Sequence, residues 1–351
     1  MDWKSYLRLG ETLLIAFIGG FTFNLLHFPL AYVLGALTFI SLWQGFTKRT
    51  IMLPISIKNA GFIVLGIYFG LYFTKETFQT ILPYLLPYLL MTTILIVVSV
   101  LLAVLVSRYI NVDEVTSVFA SIPGGLSEMA IASESLKANS SLVVIFQTIR
   151  LITVLFTIPP FMTFLFNSQE MVVQVEETTE IALGISWNYL WFVLPVIAAL
   201  FIKDRIPAGI IIGALGVTAL LNISPVELAE VPSVFMNGAQ ILVGAGLGKN
   251  ILFRDIKLGG KYTVIYFGLS VTIIVLALGL GILLANITSL SYTTAILGIA
   301  PGGFFEMVLT SYSIGGDPAV VSAFQLLRIL LIVTAVPPIL KWWFRRRVRG
   351  A

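Results

Sequence analysis

Pro123-Gly124-Gly125-Leu126-Ser127-Glu128-Met129 and Pro301-Gly302-Gly303-Phe304-Phe305-Glu306-Met307 are one block written twice, 178 residues apart. The same offset carries Gln147 and Arg150 to Gln325 and Arg328, and Pro159-Pro160 to Pro337-Pro338. Between 120–160 and 298–338, 13 of 41 positions are identical without a gap. Further out, the offset carries Pro29 to Pro207, Gly35-Ala36-Leu37 to Gly213-Ala214-Leu215, and Asn59 to Asn237. It also carries Gly66 and Gly70 to Gly244 and Gly248. Shared apolar composition cannot set Pro, Gly, Gln, Arg and Glu in one register, so a complete unit is duplicated.

The duplicated unit belongs in lipid. Of 351 residues, 58% are hydrophobic and 11% charged, with a mean hydropathy of +1.01; a soluble domain carries about 25% charged residues. Apolar runs fall at 11–27, 30–46, 58–74, 81–107, 114–137 and 141–166, and again at 187–202, 207–222, 232–249, 262–285, 291–314 and 319–343. The organisation expected is a membrane repeat over 1–166, an acidic linker over 167–186, a second repeat over 187–343 and a basic tail over 344–351. Lys4 and Arg8 precede the first run as in a signal peptide, but no small-x-small cleavage site follows, so a retained helix is expected. The absence of cysteine excludes disulfides, iron–sulfur clusters and thiol catalysis. With His27 as the one histidine, His-rich copper, zinc or haem chemistry is not expected. No cofactor and no metal are expected, and no phosphate-binding loop with its lysine is present. The pI near 9.2 reflects basic clusters between apolar runs, which reads as cytoplasmic loops rather than as a nucleic-acid surface.

Charge also orients the halves. If all twelve runs cross fully, 11 basic loop residues lie inside and 8 outside. If each Pro-Gly-Gly run instead enters and leaves on one side, each half crosses five times and the second half is inverted. The inside then holds 18 basic residues against Lys75 alone outside. The positive-inside rule selects the second arrangement, with both termini cytoplasmic and the acidic linker outside. The fold class expected is therefore an all-α polytopic membrane protein of two inverted repeats. Each has about five transmembrane helices plus one broken or re-entrant Pro-Gly-Gly segment; re-entrant loop and broken crossing helix both satisfy the sequence. Broken backbone at membrane depth is tolerated only where protein or a watery cavity satisfies it. Two breaks meeting near the midplane are the layout of secondary transporters.

The candidate binding residues cluster on these breaks: Pro123, Gly124, Gly125, Pro301, Gly302 and Gly303, with Glu128 and Glu306 five residues past each proline. An intramembrane carboxylate is costly; it serves a proton or cation site, or a structural ion pair of Glu128 with Arg150 and Glu306 with Arg328. Arg150 and Arg328 lie deep in their spans with Gln147 and Gln325 one turn earlier on the same face. Their guanidiniums offer either a grip on an oxyanion or that same ion pair. Asn59 and Asn237 open the third span of each half, either in the site or as helix N-caps. Ser121 and Ser127 face Ile299 and Phe305 in the other half, so the two half-sites are chemically unequal and one pole is more polar. His27 reads as an interfacial residue. Trp342 and Trp343 read as an interfacial anchor beside a tail suited to anionic lipid. The partners expected are the bilayer, anionic lipid and a small solute or ion; a homodimer is a candidate assembly.

The duplicated Pro-Gly-Gly-x-x-Glu-Met block, with Gln-x-x-Arg and Pro-Pro behind it, resembles the AbrB-type membrane protein family. That family is a tandem duplication, often labelled an ammonia monooxygenase. The repeated Pro-x5-Gly-Ala-Leu element, Pro29 to Leu37 and Pro207 to Leu215, is similar at fold level to cation/proton antiporters and bile-acid symporters. An enzyme is not expected: a copper monooxygenase needs several imidazoles, and His27 has no second histidine to join it. The family resemblance also implies a link to gene regulation, although the chain is unlike the soluble DNA-binding regulator that shares the family's name. Two functions follow as expectations. One is a secondary transporter of the cell (inner) membrane with a midplane site, ion-coupled or passive. The other is a non-transporting sensor acting on gene expression through a partner.

Overall fold

A computed structural model describes residues 3–124, 126–134, 136, 138–166, 187–206 and 208–349, apart from the side chains of Lys4, Leu126, Ser127, Glu128, Ile131, Ile256 and 345–349. All regular structure among them is helical. The first half holds α1 (Trp3–Leu25), α2 (Ala31–Thr47), α3 (Ile55–Gly70), α4 (Lys75–Ile81), α5 (Leu85–Ser107), α6 (Glu114–Ser121), α7 (Leu126–Glu134) and α8 (Ser140–Phe166). The second holds α9 (Val193–Ile202), α10 (Gly209–Ile223), α11 (Ser233–Lys249), α12 (Phe253–Gly259), α13 (Lys261–Ile287), α14 (Tyr292–Ile299), α15 (Phe304–Ser313) and α16 (Pro318–Arg349). Adding 178 to the bounds of α4 and α6 gives those of α12 and α14, and α8 and α16 begin on matched residues. Five helical stretches are long and apolar enough to cross a membrane: Ser5–Leu25, Lys75–Ser107, Ser140–Phe166, Lys261–Ile287 and Pro318–Phe344. Shorter apolar helices accompany them at Ala31–Thr47, Ile55–Gly70, Trp187–Ile202 and Gly209–Ile223. The chain is an all-α polytopic membrane protein.

The chain folds as two compact units, and neither unit coincides with a sequence half. One comprises Met1–Leu82, Pro160–Asn250 and Val308–Val320; the other comprises Pro83–Pro159, Ile251–Met307 and Val321–Ala351. The linker 167–186, Pro207 and the tail side chains beyond 344 lie outside the described residues.

In the first unit, helices of one half pair with helices of the other. α2 packs on α11, and α3 packs on α10. Lipid offers no hydrophobic drive to this pairing, so close contact needs small residues. A Cβ at Gly70 would come within 2.8 Å of Leu215 O, and one at Gly248 within 2.6 Å of Leu37 O. Those are the same contact made twice, with the roles of the halves exchanged. Gln44 donates to Gly248 O at 3.1 Å, locking α2 against the end of α11. α3 and α11, which are matched helices, run antiparallel: Lys58 lies on Gly246, Gly61 faces Leu242, and Tyr68 shares a cavity with Met236.

The second unit repeats the exchange with aromatic rings. Tyr88 of α5 stacks on Phe324 of α16 with centroids 4.1 Å apart. Phe146 of α8 stacks on Tyr266 of α13 at 3.7 Å. Position 88 matches 266 and position 146 matches 324, so each half supplies one tyrosine and one phenylalanine. Around α6 and α8 a core of Val118, Phe119, Ile122, Met129, Val143 and Ile332 excludes solvent.

Candidate functional site

Both Pro-Gly-Gly segments lie in the second unit, and each interrupts a pair of short helices. Asp113 caps α6 by accepting from Thr116 N at 2.8 Å, and the matched Ser291 caps α14 by accepting from Thr294 N at 3.3 Å. The helices stop after two turns because a residue before proline is pushed out of the helical region. Ile122 sits at φ −64°, ψ 130° and Ala300 at φ −50°, ψ 130°. Across each proline the chain closes a three-residue turn: Gly124 N donates to Ile122 O at 2.7 Å, and Gly302 N to Ala300 O at 2.8 Å. Proline's fixed φ suits the centre of such a turn.

The turn leaves particular carbonyls without donors. In an α-helix the N–H of residue i bonds the carbonyl of residue i−4, so Phe119 O and Leu297 O would bond the N–H groups of positions 123 and 301. Proline has none. Gln147 and Gln325 supply the missing donors: Gln147 Nε2 reaches Phe119 O at 2.7 Å and Gln325 Nε2 reaches Leu297 O at 2.7 Å. One turn along, the arginines take the carbonyls past the helix end. Arg150 donates through Nη1 to Ile122 O and through Nη2 to Gly124 O at 3.1 Å. Arg328 donates through Nη1 to Ala300 O and through Nη2 to Gly302 O at 2.8 Å. The repeated Gln-x-x-Arg is a side-chain replacement for the backbone ladder that Pro-Gly-Gly removes. The guanidinium fork offers each carbonyl its own N–H in a fixed plane, a geometry that a lysine's ammonium does not preset.

These contacts give each arginine two main-chain partners that the sequence did not indicate. Each guanidinium spans the two carbonyls that flank its proline. Arg150 is 7% exposed and Arg328 2%. Arg150 Nε, Arg328 Nε, Gln147 Oε1 and Gln325 Oε1 are buried without a hydrogen-bond partner. Carbonyl oxygens solvate a cation without neutralising it.

Glu306 occupies the first turn of α15 and is 3% exposed. Its carboxylate lies over Gly303, where a Cβ would collide with it. A carboxylate there also faces the positive end of the α15 dipole. Gly302 is held by Met307 beneath it: a Cβ at 302 would meet Met307 Cε at 2.6 Å, and one at Gly124 would meet Met129 Cε at 2.9 Å. The methionine of the motif thus fills the space its glycine leaves. Glu128 holds the matching third position of α7; its side chain, that of Ser127, and Gly125 lie outside the described residues.

The other sequence candidates fall elsewhere. Asn59 and Asn237 do not cap: Pro54 and Pro232 hold the N-cap positions of α3 and α11, and each asparagine sits one turn inside its helix. Proline's extended ψ there starts the helix without a side-chain cap. Both asparagines belong to the first unit, where Asn237 lines a cavity. Ser121 donates to Ser117 O at 2.9 Å inside α6 and is 2% exposed, so its hydroxyl is satisfied within its own helix. Phe304 and Phe305 pack edge to face at 5.0 Å at the second break. Sequence reasoning missed the stacked rings Tyr88, Phe146, Tyr266 and Phe324, although the 178-residue offset marks them as two matched aromatic pairs.

Comparison with known proteins agrees with the duplicated motif. The chain is similar to "Uncharacterized protein YhjN" of Bacillus subtilis (strain 168), 25% identical over 251 residues, 66% of this chain and 64% of that protein. It is also similar to "Putative regulator AbrB" of Escherichia coli (strain K12), 24% identical over 154 residues, 44% of each chain. The matched stretches therefore span less than two thirds of either relative. No solved structure matches the chain. Residues 32–344, which include both breaks, match the family model described as "Transition state regulatory protein AbrB". The chain belongs to the AbrB family of membrane proteins.

Proposed function

We propose that this protein is a secondary transporter of the cell membrane, moving a small solute or ion through the second unit, either ion-coupled or as passive efflux. The observation that carries this reading is the pair of broken helices within one unit, each with its backbone rebuilt by a buried glutamine and arginine. A continuous helix satisfies its own ladder without burying a charge. Maintaining two breaks at the cost of two buried guanidiniums is useful where the freed helix ends meet a ligand. Glu306, and Glu128 by its matched position, are the groups to bind a proton or cation there. Arg150 and Arg328 hold the breaks open and keep the site positive. Asymmetry between Ser127 and Phe305 makes one half-site more polar than the other.

In this reading the halves are inverted, with the N-terminus and basic tail cytoplasmic and the acidic linker outside; the antiparallel course of α3 and α11 supports it. No cofactor and no catalysis are assigned. The test is reconstitution in liposomes with a mixture of small cytoplasmic solutes, read by mass spectrometry of the lumen and by a lumenal pH dye. The wild type should load at least one solute or move protons above empty liposomes, and Glu306→Gln should reduce that flux about tenfold. A wild type indistinguishable from empty liposomes under imposed proton and sodium gradients would sink the proposal and favour a sensor.

A further inference from the structure

The first unit contains a cavity of about 760 Å³ that the breaks do not use. Its walls come from the turn between α1 and α2, the end of α3, the segment entering α11 and the end of α15. A volume of this size accommodates a small organic ligand.

Its chemistry is unlike the rest of the chain. Among the described lining residues Glu230 is the one Asp, Glu, Lys or Arg, in a protein with 21 basic and 17 acidic residues. Four tyrosines line it, Tyr32, Tyr68, Tyr72 and Tyr312, and the last three meet one another. Tyr68 and Tyr312 meet edge to face with centroids 6.1 Å apart and 89° between rings. Tyr72 and Tyr312 are tilted 59° at 5.9 Å, and Tyr68 and Tyr72 are tilted 72° at 5.4 Å. Tyr72 OH donates to Tyr68 OH at 2.8 Å, fixing the two rings relative to each other. Rings tilted this way present faces as well as edges, and Tyr312 is 39% exposed. A ring face is negative and attracts a cation within about 6 Å, most strongly one whose alkyl groups shed water easily.

The rim is strained at one residue where the repeat gives no reason for it. Leu30 lies at φ 52° and its match Ala208 at φ 55°, so that geometry belongs to the duplicated unit. His27 also lies at φ 52° and lines the same cavity, while its match, Arg205, is not in the left-handed region. Such an outlier in a non-glycine residue is uncommon and concentrates at functional turns.

We propose that this cavity binds a small organic cation bearing an alkylated ammonium group, with Tyr68, Tyr72 and Tyr312 facing the charge and Glu230 balancing it. The site is separate from the one proposed at the Pro-Gly-Gly breaks. The probe pair is choline and its uncharged isostere 3,3-dimethylbutan-1-ol, titrated by calorimetry into the purified full-length protein in detergent. Choline should bind saturably and the isostere at least about tenfold more weakly, since only the charge differs. Tyr312→Ala and Glu230→Gln should each weaken choline about tenfold, while Tyr312→Phe, which keeps the ring face, should stay within about twofold. Glu230 is exposed, so its variant tests the site even where the alanine variant folds poorly. Glu306→Gln should leave choline binding unchanged, which separates this site from transport. No saturable choline binding, equal binding of the isostere, or full affinity in both Tyr312→Ala and Glu230→Gln would each overturn the proposal.

Discussion

The first unit and the second solve the same assembly problem with different side chains. Each pairs helices of one half with helices of the other, and the principal cross-half contacts occur once in each direction. In the first unit the exchanged helices are unbroken, and glycine lets one backbone lie directly on another, as at Gly70 on Leu215 and Gly248 on Leu37. In the second, the exchange is carried by Tyr88 on Phe324 and Phe146 on Tyr266, beside helices that are broken. Among the described residues buried charge follows the breaks: Arg150, Glu306 and Arg328 all belong to the second unit. Arg150 and Arg328 are buried where the backbone is open, each taking two carbonyls that flank a proline.

The difference predicts where substitutions hurt most. Arg328→Leu leaves Gly302 O without its side-chain donor and Ala300 O with only Gln325 beside the turn; at about 1–3 kcal/mol per buried unsatisfied group, a loss of about 3 kcal/mol is expected. Thermal unfolding in detergent should show it, with Arg328→Lys intermediate since an ammonium keeps the charge but lacks the planar fork. An Arg328→Leu protein as stable as wild type would break the link between charge and broken backbone. Gln147→Leu and Gln325→Leu should each cost about 2 kcal/mol by orphaning Phe119 O and Leu297 O; unequal costs would show that one break is more solvated.

Next comes the first unit. Gly248→Val forces α11 off Leu37 O and should cost about 2 kcal/mol, by overpacking. Gly238 of the same helix has no atom within 4 Å of the place a Cβ would take, so Gly238→Ala should instead stabilise by about 0.5–1 kcal/mol through helix propensity. Opposite signs for two glycines of one helix would sharpen the claim that contact, not composition, placed Gly248. Smaller still, a double-mutant cycle on Tyr88→Leu and Phe324→Leu should return a coupling of about 0.5–1.5 kcal/mol, matched by the Phe146 and Tyr266 cycle. A coupling near zero in both would mean the rings merely fill space.

Much of this is written in the chain. The 178-residue offset places α12, α14 and α16 from their partners, and it singles out Gln147, Arg150, Gln325 and Arg328. What those side chains touch was not readable. A carboxylate five residues past the proline and a carbonyl one residue before it are both within reach of an arginine, and sequence spacing does not choose between them. The key is proline's missing N–H, which names Phe119 O and Leu297 O as the groups in need. Asn59 and Asn237 misled because asparagine near a helix start is a good cap, yet prolines at 54 and 232 already start those helices. Pairing of α2 with α11 joins residues some 200 positions apart, and Tyr68 and Tyr72 meet Tyr312 across about 240. Nothing local encodes either.

The most direct test of the central claim, that the two breaks serve one transport site from opposite faces of the membrane, is their sidedness. The chain has no cysteine, so single cysteines at Ser140 and Asp317, beside the starts of α8 and α16, report alone. Intact cells are treated with a membrane-impermeant maleimide and the labelled protein is counted against permeabilised cells. Labelling at 317 but not at 140 is the result expected. Labelling at both positions in intact cells would make the halves parallel and contradict the account.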